Sequence, residues 1–383
     1  MEITGLTDAQ VQEMKSKFDD NSILGKMTRN KKDVSVIIPM YNAADFIEEC
    51  LQSLLNQTLK NIEVIVVDDC STDNSVEIVK NFSPKFEGRL NLIRHKKNSG
   101  YPGLPRNTAL KSANGKYIYF LDSDDFISET ALEDFFKVAE EFKADVVHSE
   151  KCFARVEENG EVKIEIESTQ LGEFVTEPTL ETLDIGKRVE DFIQRKYLWW
   201  GCNKLFRREF LAENKIVFPN MTSFEDYVFA FQCIVAAKNY VRVPFVSYYY
   251  RVRNASLSHK VKDVTEVLRN MATAVETMDN FMLNRKFFVD NPFYRYSIID
   301  FFVQWRIDAT SKNVFTDSIS IGDIYQILYD WVFAEKTTKN AALSTYLFMS
   351  TNIYKLYTKK LSNQIKELKN KLENLQSQEE NVN

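Results

Sequence analysis

Between Val34 and Leu121 the chain alternates short apolar runs with segments of helical spacing, and this alternation limits the possible folds more than any other feature. Val34 to Pro39 reads Val-Ser-Val-Ile-Ile-Pro, a near-continuous apolar strand. Asp45 to Leu55 follows with Phe46, Ile47, Leu51, Leu54 and Leu55 at helical intervals. Ile62 to Val67 is a second strand that runs into Asp68-Asp69-Cys70-Ser71-Thr72-Asp73, after which Ser75 to Asn81 reads as a helix with Asp73 or Asn74 at its N-cap. Leu90 to His95 forms a third strand, Asn98 to Arg106 a glycine- and proline-containing loop, Asn107 to Ala113 a helical stretch, and Lys116 to Leu121 a fourth strand. Strands separated by helices pair in parallel through right-handed crossovers, so the expected class is α/β with a parallel sheet. Ligands of such sheets bind beyond the carboxyl ends of the strands, where the polar clusters around Asp69, Asn98 and Asp122 fall.

The fourth strand ends in an acidic loop. Phe120 to Phe126 reads Phe-Leu-Asp-Ser-Asp-Asp-Phe, and carboxylates this crowded are tolerated only in water or around a cation. Hard oxygen ligands at a strand end suit magnesium or manganese, which commonly take one or two carboxylates and complete the octahedron with substrate phosphates. A solvated acidic turn is the competing reading, and Asp125 is also placed to cap the helix expected over Ser128 to Phe142. A second acidic pair, Glu225-Asp226, opens the apolar helix Tyr227 to Ala237. Capping and the helix dipole favour acids there, and a carboxylate so placed is also a candidate general base.

Composition excludes several classes. The chain has 383 residues, enough for two or three structural units, and is 44% hydrophobic with a net charge of −6, so no overall basic excess points to nucleic acid. Five cysteines, Cys50, Cys70, Cys152, Cys202 and Cys233, lack CxxC spacing, and their odd number argues against a disulfide framework and for reduced thiols in a cytoplasmic setting. No apolar run approaches the roughly 18 residues of a membrane span, so the expectation is a protein that is not integral to a membrane. Met40-Tyr41-Asn42-Ala43 is not a glycine-rich, lysine-bearing phosphate loop, which argues against a nucleotidyltransferase on a similar sheet.

Four segments in order, Val-Ser-Val-Ile-Ile-Pro-Met-Tyr-Asn from Val34, Val-Val-Asp-Asp-Cys-Ser-Thr-Asp from Val66, Asn-Ser-Gly-Tyr-Pro-Gly-Leu-Pro-Arg-Asn from Asn98 and Leu-Asp-Ser-Asp-Asp from Leu121, resemble the family 2 glycosyltransferases. The third segment is also similar to the bacterial wall teichoic acid and capsule sugar transferases. The resemblance is dense from Val34 to about Ile127, thinner to about His259 and absent beyond. It implies a GT-A, Rossmann-like nucleotide-diphospho-sugar domain over residues 34–259, with Mn2+ or Mg2+ as cofactor and an inverting mechanism. The implied reaction moves a hexosyl or N-acetylhexosaminyl group from a nucleotide sugar, a UDP-sugar first, to a hydroxyl of a bacterial surface glycan or lipid-linked precursor. By the same resemblance Pro39 and Tyr41 hold the nucleobase, Asp69 reads the uracil imide, and Asn98 and Arg106 line the nucleotide loop. Arg106 either grips phosphate or braces the acidic loop, and Asn98 is equally ordinary turn chemistry. Asp122 and Ser123 face the ribose or a metal-bound water, Asp124 ligates the cation, Asp226 is the catalytic base and Glu225 orients the loop or holds acceptor. Arg251 and Arg253 fall on a segment implied to fold over the diphosphate, and His259 is a candidate for the metal shell. A non-catalytic nucleotide-sugar-binding scaffold is the alternative, against which the retention of Asp124 with Asp226 argues.

Trp199 and Trp200, ahead of Asn203-Lys204, read as one wall residue of a sugar pocket and one packing residue. Residues 1–33 form a polar, partly helical extension. Residues 260–357 form a mostly helical module with helices expected over Val264 to Leu283, Pro292 to Ala309, Ile321 to Ala334 and Ala341 to Tyr357. In residues 358–383, Leu361, Ile365, Leu368, Leu372 and Leu375 make a short heptad seam, suited to self-association, docking or a frayed tail. Lys355 to Lys360 suits either solvent or peripheral contact with the inner face of an anionic membrane.

Overall fold

The computed structural model describes residues 32–158, 161–167, 173–252, 264–314 and 362–370. The chain divides into two compact units: Met1–Leu183 with Tyr197–Phe218 and Ala236–Arg253, and Asp184–Lys196 with Pro219–Val235 and Asn254–Asn383.

The first unit begins as the alternation requires: β1 (Val34–Met40), α1 (Ile47–Leu55), β2 (Ile62–Asp68), α2 (Ser75–Phe82), β3 (Leu90–Arg94), α3 (Gly103–Leu110) and β4 (Tyr117–Phe120). β1 pairs in parallel with both β2 and β4, and β2 with β3, so the strand order is β3-β2-β1-β4. Every residue of β1 is buried, as expected of a central strand covered on both faces. The helix expected from Asn107 instead starts at Gly103 and takes in Pro105 and Arg106. Proline is tolerated in a first helical turn because its missing N–H has no partner there to lose, so the apparent loop residues continue directly into the helix. Asn74 sits at the cap of α2 without a side-chain bond, while Asp73 Oδ1 accepts from Ser75 N at 3.0 Å.

The sheet then departs from an all-parallel pattern. After β5 (Phe126–Ile127), α4 (Ala131–Glu141), β6 (Val146–Ser149), β7 (Cys152–Glu158), β8 (Glu161–Glu167) and β9 (Thr179–Leu180), the strand β10 (Lys204–Arg207) inserts antiparallel between β4 and β6. β11 (Tyr240–Val243) lies parallel to β6 and antiparallel to β9, which completes eight strands in the order β3-β2-β1-β4-β10-β6-β11-β9. A second sheet, β5-β12-β7-β8, uses β12 (Tyr248–Arg251) to join strands distant in sequence. The class is α/β around a mixed central sheet.

The second unit is helical where described: α5 (Ile185–Ile193), α7 (Glu225–Ala236), α8 (Val264–Leu283), α9 (Lys286–Asp290) and α10 (Pro292–Val314); the short α6 (Arg208–Glu213) belongs to the first unit. Its interior is aromatic: Tyr227 lies 4.9 Å from both Phe192 and Phe302, and Phe231 5.6 Å from Phe192. Arg188, 1% exposed, donates from Nη1 to the Ile234 carbonyl at 2.9 Å, serving one of the carbonyls left open at the end of α7. Residues 362–370 form a helix on which Ile365 and Leu368 are exposed; Leu361, Leu372, Leu375, the expected helices at 321–334 and 341–357 and the basic stretch 355–360 lie outside the described residues. No helix among the described residues is long and apolar enough to cross a membrane, and all five cysteines are free thiols.

Two buried positions in the first unit bear on its stability. Gly115, at the turn into β4, donates its N–H to Ser35 Oγ at 2.8 Å, and a Cβ there would lie 2.4 Å from Ser35 N. Gly115→Ala therefore forces β4 away from β1 and should cost about 1–3 kcal/mol in a urea or thermal melt. His148, fully buried on β6, is 3.1 Å from Tyr240 Oη. Burial, with the nearby Lys204 and Arg242 cations, pushes its pKa well below the ordinary 6.5. Below about pH 6.5 the unfolded chain takes up a proton that the native state refuses, so stability falls as pH drops, by up to about 1.4 kcal/mol per unit from this group. Denaturant titrations at pH 7.5 and 5.5 should show that fall, reduced in His148→Gln.

Candidate active site

The carboxyl ends of β1 and β2 meet in a tightly bonded polar corner. Asp69 N donates to the Met40 carbonyl at 2.8 Å, which sets Asp69 beside Tyr41. Pro39 is buried in β1, whereas Tyr41 is 49% exposed just past it. The positive φ of Asn42 (47°) and Cys70 (67°) turns both loops, and the polar run after β2 binds the loop after β1. Asn42 N donates to Ser71 Oγ at 2.9 Å, Ala43 N to Ser75 Oγ at 2.8 Å and Ala44 N to Asp73 Oδ2 at 3.0 Å. Asp68 does turn work, accepting from Ser71 N at 3.1 Å and Arg94 Nε at 2.9 Å. Asp69 is nearly buried, with Oδ1 2.8 Å from His95 Nδ1 and Oδ2 accepting from Ser99 N at 2.8 Å. Asn98 accepts from Gly100 N at 2.5 Å, an Asx turn around a glycine whose φ is 85°.

The acidic loop between β4 and β5 is held from two sides. Arg106 on α3, 2% exposed, donates from Nη2 to Asp122 Oδ1 at 2.7 Å, and its guanidinium carbon lies 5.0 Å from the centre of the Phe218 ring. This ion pair braces the acidic loop. Asp122 keeps a side chain one third exposed, Asp124 is half-buried, and Ser123 and Asp125 are buried. Asp125 does not cap the next helix. Its Oδ2 accepts from Tyr248 Oη at 2.6 Å and its Oδ1 from Arg251 N at 2.9 Å, so β12 clamps the loop from below. Burial, reinforced by the charges of Asp124 and Asp122, pushes the Asp125 carboxyl well above the ordinary carboxylate range, against the pull of those two donors. Arg251 also donates from Nε to the Asp124 carbonyl at 3.0 Å and from Nη2 to Glu49, while Arg155 Nη1 reaches Glu49 at 2.7 Å. Partial burial raises the Glu49 pKa, but the two arginines outweigh it and hold the pKa below the usual value.

In the second unit Glu225 and Asp226 are the first two residues of α7, Glu225 buried and Asp226 half-buried. Phe224, just before them, has a φ of 72°, left-handed backbone that a bulky side chain adopts only under constraint from its surroundings. Its carbonyl accepts from Val228 N at 3.1 Å, so the left-handed turn leads directly into the helix that the acidic pair begins. Arg253 and His259 lie outside the described residues. Trp200 packs 6.2 Å from Tyr250, and its carbonyl accepts from the buried Lys204 Nζ at 2.7 Å. Asn203, fully buried, donates to the carbonyls of Ser149 and Lys151 at 3.1 and 2.7 Å, a structural use of that pair.

Sequence reasoning did not single out His95, Ser99, Glu49 or Tyr248. Tyr248 opens a run of three tyrosines, and nothing in that run distinguishes the ring that turns inward. Removing its hydroxyl takes a donor from a buried carboxyl group. Tyr248→Phe should therefore lower stability by about 1–3 kcal/mol, read by chemical denaturation, without loss of secondary structure by circular dichroism.

Comparisons with known proteins agree with this layout. Residues 35–213 match the family model described as glycosyl transferase family 2. The chain is 35% identical over 223 residues to a poly(ribitol-phosphate) beta-glucosyltransferase of Bacillus spizizenii, covering 57% of this chain and 32% of that protein. It is 31% identical over 232 residues to the poly(ribitol-phosphate) beta-N-acetylglucosaminyltransferase TarP of Staphylococcus aureus, covering 60% of this chain and 65% of that one. The chain thus spans about a third of the first relative and just under two thirds of the second. Among solved structures, S. aureus TarS 1-349 in complex with UDP-GlcNAc superposes with a TM-score of 0.62 at 25% identity, over 84% of this chain and 89% of that one. The α/β architecture is of the GT-A type, like that of TarS, and the stretch from residue 35 to 213 is similar to glycosyl transferase family 2.

Proposed function

We propose that the chain is an inverting glycosyltransferase that moves a sugar from a UDP-sugar to a hydroxyl of a bacterial surface polymer, with poly(ribitol phosphate) the first acceptor to test. The acidic loop carries this reading: two partly exposed carboxylates, Asp122 and Asp124, stand at the end of β4 on a base made rigid by Arg106, Tyr248 and Arg251. The UDP and UDP-GlcNAc complexes of TarS and the names of the curated relatives support the donor and acceptor classes.

The residues fit a divalent cation. Asp124, with Asp122 alongside, offers hard oxygen ligands on partly exposed side chains at the end of β4. Magnesium or manganese bound there supplies neutralisation of the departing diphosphate, an electrostatic role. Tyr41 offers its exposed ring to the nucleobase and Asp69 accepts the base N–H. Asp226, at the positive end of α7, takes the proton of the acceptor hydroxyl as its oxygen bonds to the sugar C1 and the bond from C1 to the diphosphate oxygen breaks, releasing UDP with inversion. A carboxylate is a weak base, and it suffices when bond breaking runs ahead of proton transfer.

Released UDP should be measured across a panel of UDP-sugars with manganese or magnesium and with EDTA. One sugar should be turned over, faster with poly(ribitol phosphate) present, and EDTA should abolish release. Asp226→Asn should bind UDP with unchanged affinity and lose transfer by about 10²-fold or more. UDP binding without turnover of any sugar under any acceptor would support a non-catalytic binding protein, and full transfer by Asp226→Asn would remove that residue from the role of base.

A further inference from the structure

Asp69 is not a lone carboxylate at a strand end. Its Oδ1 faces His95 Nδ1 at 2.8 Å, its Oδ2 accepts from Ser99 N at 2.8 Å, and Ser99 Oγ lies 2.7 Å from the same oxygen. The far side of the imidazole is also taken, with Nε2 2.9 Å from Thr108 Oγ1 on α3. The tautomer that donates from Nδ1 to the carboxylate leaves Nε2 to accept the threonine hydroxyl, so one imidazole ring satisfies both neighbours. His95 is itself fixed at the end of β3 by its backbone N–H, which donates to the Asp68 carbonyl at 2.8 Å. The Asp69 side chain keeps 5% exposure, an opening for a single donor atom.

We propose that His95 is a positioning residue that sets the nucleobase preference of the donor site, by fixing Asp69 as an oriented acceptor beside the exposed ring of Tyr41. This rests on the reading of that corner as the nucleobase slot. A carboxylate has about four acceptor directions; His95 and the Ser99 N–H take one on each oxygen and fix the plane of the group, and the Ser99 hydroxyl, which also lies 2.9 Å from the Tyr101 carbonyl, crowds a third, which leaves little more than one for a ligand. Uracil presents a ring N–H to that position. Cytosine presents a lone pair at the same atom, so a carboxylate that cannot rotate away rejects it by repulsion as well as by a missing hydrogen bond. Released from His95, Asp69 turns about its χ2 torsion and the discrimination fades even where the affinity of the slot for a flat ring persists.

The test is calorimetric titration of the full chain with UDP, CDP and GDP in the presence of manganese. The wild type should prefer UDP to CDP by about ten-fold or more, the worth of one well-placed hydrogen bond. His95→Ala should bring the ratio of the two dissociation constants close to one, mainly by weakening UDP. His95→Asn, whose amide still donates to Asp69, should restore most of the ratio. Thr108→Val, which removes only the far support of the ring and is the milder change to the fold, should lower the ratio by about three-fold, a fraction of one hydrogen bond. An unchanged ratio in His95→Ala and Thr108→Val, or equal weakening of UDP and CDP, overturns the role of His95 and leaves the slot intact. A wild type that binds no UDP, or prefers GDP, overturns the slot itself and the His95 role with it.

Discussion

The bonds that Asp125 accepts from the buried Tyr248 hydroxyl and from the Arg251 amide hold the acidic loop in place. A loop with three carboxylates in four residues has no tendency to stay compact, because each charge disfavours its neighbours. Here one carboxyl is drawn inward and bonded twice by a strand from the second sheet, and a second is tied to the buried Arg106. The third, Asp124, is carried on backbone that Arg251 Nε holds by its carbonyl. The result is a short acidic loop whose exposed oxygens stand on fixed backbone, the condition under which a few carboxylates can act together at one ligand.

The nucleotide-side corner follows the same logic by different means. Its fixed parts are backbone N–H groups of the loop after β1, each bonded to a short side chain between β2 and the first turn of α2: Ser71, Asp73 and Ser75. Three polar side chains within five residues serve three consecutive N–H groups, of which that of Ala43 is buried and would be costly if left unpaired. Cys70, in left-handed backbone, turns the chain so that this run faces β1 while Asp69 faces β3. Two adjacent aspartates thereby divide the work: Asp68 holds the turn and Arg94, Asp69 the His95 and Ser99 pair.

Much of this was legible in the amino-acid sequence, for identifiable reasons. β1, β2 and β4 are continuous apolar runs between helical spacings, and their parallel pairing follows from connectivity alone. β8 carries a strand signal that the sequence reading passed over, since Glu161–Glu167 alternates charged and apolar residues with a period of two. β10 was not legible, because Lys-Leu-Phe-Arg is only four residues long and carries no period; only its neighbours β4 and β6 define it. The start of α3 was hidden by Gly-Leu-Pro, whose glycine and proline read as a loop although a first helical turn accepts both. In the site, the carboxylates were visible as a motif, but which of them turns inward depends on Tyr248, 123 residues beyond Asp125, and no local pattern encodes that partner. The left-handed turn at Phe224 was likewise silent, since an aromatic residue carries no preference for positive φ.

The place of β10 in the sheet has a consequence for how the chain is made. β1 to β4 are contiguous and can assemble as they emerge from the ribosome, but β4 then presents an open edge, the Tyr117–Phe120 backbone, whose partner on that side is Lys204–Arg207. Until that later segment has been synthesised, an apolar strand with unpaired N–H and C=O groups faces solvent, a template for pairing with another nascent chain. Translation speed between β4 and β10, and the availability of chaperones in that interval, thus bear on the yield of folded protein independently of the stability of the finished molecule.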